Sequence, residues 1–394
     1  MLYNFDEIIP RKGTNCLKYD FALERGLPHD DLIPLWVADM DFPAPREVIE
    51  QLLRVARHGV FGYSEAKGEY FQALQSWFSR YFAYEIHPRW LVKTPGVVFA
   101  LSLAVRALSN AGDSVIIQEP VYYPFAQSVR ANGRRLIYNS LLYRDGKYQI
   151  DLADFEAKIR TQKVKLFILC SPHNPVGRVW SEDELRAMAE ICLKYDCYIV
   201  SDEIHCDFVY SGHKHHVLTT VAPQAASRTV ICTAPSKTFN LAGLQVSNIF
   251  IQNEEIREKF RREMAKTGYS QLNVMGLAAC QCAYRYGHDW LGQLLAYLEN
   301  NFAFMRGFIE QRIPALKMAE AQGTYLAWVD FRNLGLSHSQ INDLIINRAK
   351  LWLDEGMMFG PGGQGFQRFN LACPQAVLAR ALTQLEKALK SLGP

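Results

Sequence analysis

The sequence lacks any run of eighteen consecutive apolar residues, so no segment is expected to cross a membrane as a helix. Its first ten residues carry acids and no apolar stretch, which argues against a secretory signal peptide. It also lacks a strong charge of either sign, since 43 basic and 40 acidic residues leave a net charge of +3. That balance does not favour nucleic acid or an anionic membrane as the main partner.

Cysteine pairs with the spacing of a metal or redox motif are also missing. The nine cysteines are an odd number, include no CxxC pair and lie mostly in apolar runs. This usage is typical of reduced, buried thiols, so we expect a cytoplasmic protein. The cluster His213–His216 (HKHH) suits no common zinc site, and we expect a solvated loop there and no bound metal.

What the sequence does contain is an alternation of short apolar runs with amphipathic stretches. This alternation predicts an α/β protein in which helices cover both faces of a mostly parallel sheet. The short runs are mostly apolar, as expected for strands that are buried on both faces. The candidate strands are Ser114–Gln118, Leu166–Cys170, Tyr198–Ser201, Thr229–Thr233, Val246–Ile251 and, later in the chain, Thr324–Val329.

Several helices have recognisable starts. Ser181 and Glu184 have the spacing of a capping box ahead of an apolar stripe, and Pro95-Gly96 precedes a helix that ends at Leu108. A long helix is predicted from about 287 to 311, and a final one begins at Gln375. We predict an N-terminal segment, 1–45, that joins a small domain, a large domain over 46–290 and a small C-terminal domain over 291–394.

Polar motifs follow three of the candidate strands at the point where each strand ends. Asn174 lies in SPHNPVG, Asp202 in SDEIH and Lys237 in TAPSKTF. Taken singly, each has an ordinary explanation as a turn, a helix cap or a solvated lysine. Steps of 28 and 35 residues separate them, each the length of one strand–helix unit. Because open α/β sheets bind ligands at the carboxyl ends of their strands, we expect the three side chains to share a pocket.

These residue types suit a site for pyridoxal 5′-phosphate (PLP). Lys237 would hold the cofactor as a Schiff base and later move the Cα proton as a neutral amine. Asp202 would pair with the ring nitrogen, because a protonated ring is the better electron sink. The protonated nitrogen would in turn favour the ionised form of the Asp202 carboxyl. Asn174 would donate a hydrogen bond to the phenolate oxygen of the ring.

An anion site for the cofactor phosphate is expected at the start of the helix that follows Gly96. The backbone N–H groups of Val97 and Val98 are free there to bind an anion. Ser236, next to Lys237, would add a hydroxyl.

At this point the residues resemble a known family. The strings SPHNPVG, SDEIH and SKTFNLAGLQ resemble fold-type I PLP enzymes, the aspartate aminotransferase superfamily, over nearly the whole chain. The resemblance implies a mostly parallel seven-stranded sheet with helices on both faces, a smaller α+β domain, a PLP cofactor and a homodimer. Narrower strings are similar to the cystathionine β-lyase branch typified by MalY and PatB proteins: WVADMDFP (Trp36–Pro43), VFGYS (Val60–Ser64), GTYLAWVDFR (Gly323–Arg332) and RFNLACP (Arg368–Pro374).

On the cofactor side, the resemblance assigns Tyr122 to the position that abuts the ring, with Tyr123 as an adjacent competitor. Three positions depart from the superfamily pattern. Ala234 stands where a serine is usual, and Gln245 stands where an arginine is common, so the phosphate has fewer charged partners than in a typical aminotransferase. His205 takes the place of a tyrosine beside the phenolate oxygen.

On the substrate side, Arg368 matches the arginine that binds the substrate α-carboxylate through two parallel hydrogen bonds. Tyr63 matches a tyrosine that reaches across a dimer interface to the site of the partner. The segment Trp36–Phe42, with Ala38 in it, is expected to line the substrate pocket together with Asn174. The glycine-rich string Gly360–Gly365 before Arg368 has the composition of a mobile strip.

The leading prediction for the reaction is β-elimination from a cysteine thioether, with cystathionine as an example, giving a thiol, pyruvate and ammonia. An aminotransferase of broad amino-acid range is the alternative, because Lys237, Asp202, Asn174 and Arg368 would serve both reactions. A third possibility is a regulatory protein that keeps the PLP fold. Only the branch-level strings favour the lyase.

Overall fold

Short strands alternate with helices along the chain in the computed structural model, which describes residues 3–392. The strands, in chain order, are β1 (Ile33–Pro34), β2 (Leu91–Thr94), β3 (Ser114–Glu119), β4 (Arg135–Ser140), β5 (Leu142–Arg144), β6 (Lys147–Gln149), β7 (Val164–Cys170), β8 (Tyr198–Asp202), β9 (Thr229–Thr233), β10 (Ser247–Phe250), β11 (Lys317–Met318), β12 (Leu326–Asp330), β13 (Leu351–Trp352), β14 (Asp354–Glu355) and β15 (Phe366–Asn370). The α-helices are α1 (Arg46–His58), α2 (Gly68–Phe82), α3 (Val97–Leu108), α4 (Pro124–Ala131), α5 (Leu152–Thr161), α6 (Glu182–Lys194), α7 (Leu218–Val221), α8 (Pro235–Thr238), α9 (Glu254–Ala265), α10 (Val274–Tyr286), α11 (His288–Arg312), α12 (His338–Asp343) and α13 (Gln375–Lys390).

The largest sheet has seven strands in the order β2-β10-β9-β8-β7-β3-β4. Neighbouring strands are parallel except around β10, which runs antiparallel to both β2 and β9. The mostly parallel seven-stranded sheet is therefore confirmed. Ile116 of β3 packs into one buried apolar cluster, whereas Val115 and Ile117 pack into another, so the sheet is covered on both faces.

The helix starts read from the sequence are confirmed. Ser181 caps α6 and accepts a hydrogen bond from the backbone of Glu184, whose side chain returns one to Ser181. The helices α3, α11 and α13 lie where the pattern predicted them. The strand expected from Thr324 begins instead at Leu326, because Thr324 adopts a positive φ of 65° that an extended strand does not use.

A second sheet, β11-β12-β15-β14, is antiparallel throughout and carries the C-terminal part of the fold. The N-terminal segment reaches this part of the chain, since β1 pairs in parallel with β13. The domain boundaries near residues 46 and 290 stay a prediction. Within residues 3–392, no helix is both long enough and apolar enough to cross a membrane.

The loop His213–His216 is not fully solvated, contrary to what its sequence predicted. His215 is buried, and its Nε2 lies 2.9 Å from Oε2 of Glu203. The prediction of a solvated loop was wrong for His215. Its partner is the carboxylate of Glu203, which directly follows β8, and a pairing between these two separate segments is not visible in the loop sequence. The nine cysteines are free thiols, and all but Cys16 are buried.

Candidate active site

The three polar strand ends meet in one cavity of about 380 Å³. The strands β9, β8, β7 and β3 are successive neighbours in the sheet, so the loops that follow them converge at one edge. The cavity is lined by Ala38, Pro95, Gly96, Val97, Val98, Phe99, Tyr122, Cys170, Asn174, Asp202, Ile204, His205, Ser236, Lys237, Ala242 and Gln245.

Lys237 lies in α8, directly after β9, and its Nζ donates to the carbonyl oxygen of Ala38 at 2.5 Å. Burial lowers the pKa of the Lys237 amine to about 8, while Asp39 and Asp202 raise it and Arg368 lowers it further. An amine with this pKa changes protonation state close to neutral pH, as a group that accepts and returns a proton needs to do.

The segment Trp36–Phe42 is fixed above Lys237 by hydrogen bonds from distant parts of the chain. The hydroxyl of Tyr325 donates to the same Ala38 carbonyl oxygen at 2.9 Å. The side chain of Asn240 accepts from the backbone N–H of Met40 at 3.1 Å and donates to its carbonyl oxygen at 3.0 Å. Sequence reasoning missed Tyr325, although the string GTYLAWVDFR contains it.

Asp202 is the last residue of β8 and is buried at the cavity wall. Its Oδ1 accepts a hydrogen bond from the backbone N–H of Ile204 at 3.1 Å. Burial raises the pKa of Asp202 to about 7, Glu203 raises it too, and Lys237 opposes the rise. A cation set against this carboxylate would keep it ionised, which fits a protonated ring nitrogen.

Asn174 connects the cavity to Arg368. Its Oδ1 accepts from Nη1 of Arg368 at 3.1 Å, which leaves the amide nitrogen as the donor toward a ligand. Arg368 does not itself line the cavity, but it bonds to Asn174, which does. Its Nη2 donates to the carbonyl oxygen of Trp36 at 2.6 Å.

Asp354 is a third partner of Arg368, and sequence reasoning missed it. The two residues are opposite each other on β14 and β15, and Nη2 of Arg368 donates to Oδ2 of Asp354. Both side chains are buried, so each charge depends on the other for compensation. Burial raises the pKa of Asp354, and Arg368 limits that rise. Asp354 follows the apolar run Leu351–Leu353, which is the same signal that drew attention to Asp202.

The start of α3 opens onto the cavity. Gly96 is its N-cap and supplies no side-chain cap, and Val97, Val98 and Phe99 line the cavity. The unpaired N–H groups of a helix start form an anion site, as a phosphate requires. Gln245 also lines this cavity, which places a neutral amide where an arginine is common in the superfamily.

Two aromatic residues complete the cavity. His205 is buried, and its Nδ1 has no hydrogen-bond partner within residues 3–392. Burial lowers the pKa of the His205 imidazole well below its ordinary value, and Lys237 and Arg368 lower it further. Of the two competing tyrosines, Tyr122 lines the cavity and Tyr123 does not. Burial raises the pKa of the Tyr122 hydroxyl.

Tyr63 lies outside this cavity. Its side chain is 98% exposed in the single chain, and the neighbouring Val60 and Phe61 are exposed as well.

The strip Gly360–Gly365 is held at two points, and at the first of them the carbonyl oxygen of Gly365 accepts from the backbone N–H of Phe331 at 2.9 Å. The N–H of Gly362 donates to Oε2 of Glu119 at 2.7 Å, and a Cβ at Gly362 would lie 2.7 Å from that oxygen. A larger residue at Gly362 would therefore require the Glu119 carboxylate to move.

The chemical groups that line the cavity are those that a site for PLP requires. The cavity brings together an amine on Lys237, a carboxylate on Asp202, an amide donor on Asn174, a helix start without a side-chain cap and an imidazole nitrogen of His205 that has no partner among the described residues. The roles of the individual residues stay predictions.

Comparison with known proteins agrees with this architecture. Residues 30–385 match the family model for class I and II aminotransferases. Cystathionine beta-lyase PatB of Bacillus subtilis (strain 168) is 40% identical over 386 residues, which span 98% of this chain and 100% of the relative. Protein MalY of Escherichia coli (strain K12) is 31% identical over 393 residues, with 99% and 100% covered.

The solved structure of cystalysin from Treponema denticola contains a pyridoxal 5′-phosphate cofactor. It matches this chain with a TM-score of 0.96 at 39% identity and covers 100% of both chains. The chain therefore belongs to the class I and II aminotransferase family of PLP-dependent enzymes, and within it to the group that contains PatB and MalY.

Proposed function

We propose that this chain is a carbon–sulfur β-lyase that cleaves cysteine thioethers, cystathionine among them, to a thiol, pyruvate and ammonia. The observation that carries the proposal is the convergence of Lys237, Asp202 and Asn174 on one cavity, with Arg368 bonded to Asn174. The full-length likeness to a cystathionine β-lyase favours elimination over transamination.

Substrate binding would begin at Arg368. A guanidinium can bind a carboxylate through two parallel hydrogen bonds, and Nε of Arg368 has no partner among the described residues. Because Arg368 contacts Asn174, a carboxylate bound there sits at the edge of the cavity. The Cα of the substrate would then have to face Lys237 for its proton to be removed.

PLP, when bound, supplies an electron sink for the electron pair that remains at Cα after its proton leaves. Asp202 would hold the ring nitrogen protonated, which strengthens that sink. Lys237 would take the Cα proton as a neutral amine, the form that its lowered pKa of about 8 makes accessible.

The bond from Cβ to sulfur would then break with departure of a thiolate. A thiolate needs little help from an acid, because the pKa of a thiol is about 8.5. The remaining three-carbon unit takes up one water molecule and gives pyruvate and ammonia. The reaction consumes one thioether and one water and needs neither an oxidant nor a keto acid to accept the amino group.

Incubation of the PLP-loaded protein with cystathionine and no keto acid tests the proposal. Equal amounts of pyruvate and thiol are expected. Activity that appears only when a keto acid is supplied, without release of thiol, would establish the aminotransferase instead.

A regulatory role rests on the family resemblance alone, and it would be supported if Lys237→Ala protein kept its full biological effect.

We also propose a homodimer in which Tyr63 enters the cavity of the partner. The exposure of Tyr63, Val60 and Phe61 in the single chain supports this. Mixing inactive Tyr63→Ala and Lys237→Ala subunits should restore about a quarter of the wild-type activity, because a mixed dimer contains one intact site. No recovery in a demonstrated mixed dimer would contradict the shared site.

A cytoplasmic location stays a prediction that cell fractionation can test.

A further inference from the structure

A buried carboxylate that the proposed reaction does not use lies five residues after Asp202. Asp207 belongs to the loop that follows β8, and its side chain is buried. Oδ1 of Asp207 accepts from Nε1 of Trp77 at 2.9 Å, and Oδ2 accepts from the hydroxyl of Thr238 at 2.5 Å. Trp77 and Thr238 are buried as well, so the carboxylate links two buried side chains.

Trp77 holds one oxygen of this carboxylate in place. Its ring packs edge-on against Phe239 and Tyr284, at centroid distances of 5.3 Å and 5.5 Å. An indole N–H can only donate, so the oxygen in front of it must accept. Burial raises the pKa of Asp207, and the hydrogen bonds from Thr238 and Trp77 oppose that rise. Loss of either bond would leave a buried oxygen unpaired, which is costly.

The other oxygen of Asp207 holds the residue next to Lys237. Both Thr238 and Lys237 belong to α8, which has only four residues and therefore little stability of its own. Successive side chains of a helix point about 100° apart, and of these two only Lys237 lines the cavity. Asp207 therefore holds this turn from outside the cavity and joins it to the loop that follows Asp202.

The amine of Lys237 depends on its backbone position because the lysine side chain is a long, flexible stem. Its tip is held by one hydrogen bond, to the carbonyl oxygen of Ala38. Reaction rates are sensitive to such placement, since a displacement of about 1 Å can cost about 100-fold. The bond from Thr238 to Asp207 fixes the base of the side chain without touching its reactive end.

We propose that Asp207 is a positioning residue: through Thr238 it holds the backbone of Lys237 where the amine can attach the cofactor and move the Cα proton. Asp207 does not line the cavity, so it acts on the reaction through Lys237. The inference rests on the proposed role of Lys237 and holds for a lyase and an aminotransferase alike. Loss of the bond should slow the proton transfer and leave substrate binding unchanged.

Thr238→Val is the decisive variant, because valine keeps the shape of threonine and removes only the hydroxyl. A change of Asp207 itself would also release Trp77, and would test folding more than position. Thr238→Ser returns the hydroxyl. Thr229→Val is the matched control, since Thr229 lies at the start of β9, is also buried, and donates to the carbonyl oxygen of Ala225 at 2.7 Å.

Exchange of the Cα hydrogen of alanine with heavy water, followed by mass spectrometry, measures proton transfer without any leaving group. We expect Thr238→Val to slow exchange about tenfold at saturating alanine, with less than about a twofold change in the half-saturating concentration. Thr238→Ser should stay within about twofold of the wild type. Thr229→Val should lose as much resistance to denaturant as Thr238→Val, yet exchange at the wild-type rate.

A second measurement needs no turnover. The rate at which cofactor-free protein attaches PLP follows the neutral fraction of the Lys237 amine, whose pKa burial lowers to about 8. In Thr238→Val the amine gains access to water and its pKa should rise, so attachment at about pH 8 should slow about threefold and level off at a higher pH. The charged and titratable groups that face the amine are unchanged in this variant: Asp39, Asp202, His205 and Arg368.

Equal exchange rates in Thr238→Val and Thr229→Val would overturn the inference, and so would a Thr238→Ser protein as slow as Thr238→Val. An attachment curve of Thr238→Val identical to that of the wild type would overturn it as well. Wild-type protein that exchanged no Cα hydrogen would contradict the proposed function, whereas the attachment curves would still decide whether Thr238 and Asp207 position Lys237.

Discussion

The two sides of the cavity hold their functional groups by different means. On the sheet side, Lys237, Asp202 and Asn174 stand at the ends of adjacent buried strands, so the backbone of the sheet places them. On the opposite side, Arg368 and the Trp36–Phe42 segment are placed by side-chain contacts between residues far apart in the chain. The sheet side therefore depends on the fold as a whole, whereas the opposite side depends on a few polar pairs.

The largest effect is expected on the sheet side, from Lys237→Ala. Activity should fall about 1000-fold or more, because the covalent cofactor attachment and the proton carrier are lost together. Folding should be retained, since the lysine side chain makes one hydrogen bond within residues 3–392, to the carbonyl oxygen of Ala38. The measurements are pyruvate release and borohydride trapping of PLP, with exposed Lys12→Ala as the control. Trapping on another lysine at full yield would contradict the assignment.

On the opposite side, Arg368→Lys should raise KM about 100-fold with a smaller change in kcat, because an ammonium cannot reproduce the paired hydrogen bonds of a guanidinium. Arg332→Lys is the matched control. Arg332 lies beyond the end of β12 and pairs with Asp330, but its side chain is half-exposed. If the two variants behaved alike, the carboxylate-binding role of Arg368 would be rejected.

The protonation of Lys237 gives a test by pH. Because the pKa of Lys237 is lowered to about 8, its neutral fraction should rise about tenfold per pH unit below that value and level off above it. The rate at which cofactor-free protein attaches PLP should follow the same curve, since only the neutral amine attacks an aldehyde. Attachment can be followed by borohydride trapping and peptide mass. A rate that still rises steeply above pH 9 would show an ordinary lysine.

The smallest effect on catalysis is expected from Asp354→Asn, which leaves Arg368 in place without its counter-ion. We expect KM to rise about tenfold, and the free energy of unfolding to fall by about 3 kcal/mol, because a buried charge loses its partner. Asp330→Asn, which breaks the half-exposed pair with Arg332, should cost less than about 1 kcal/mol. Denaturant titration compares the two variants. Equal losses would show that Arg368 does not rely on Asp354.

Together these variants distinguish the two sides. Changes on the sheet side should act on kcat and on cofactor attachment, whereas changes on the opposite side should act on KM and on stability. A variant of Asp354 that altered cofactor attachment as strongly as Lys237→Ala would remove the distinction.

Sequence reasoning located the sheet side almost completely. The apolar runs placed β3, β7, β8 and β9 to within two residues, and the polar residues after them lie together in the cavity. The opposite side was located only in part. Arg368 and the Trp36–Phe42 segment were found by family resemblance, whereas Asp354 and Tyr325 were not identified, and His215 was placed in solvent although it is buried.

The sequence by itself determined the strands, the helix starts and the order of Asn174, Asp202 and Lys237. These features follow from local periodicity and capping, which are written in neighbouring residues. Only the tertiary structure decided that Asp354 compensates Arg368 and that Tyr325 shares the Ala38 carbonyl with Lys237. Such pairings join residues up to hundreds of positions apart, and they form because burial makes an unpaired polar group costly, wherever in the chain its partner lies.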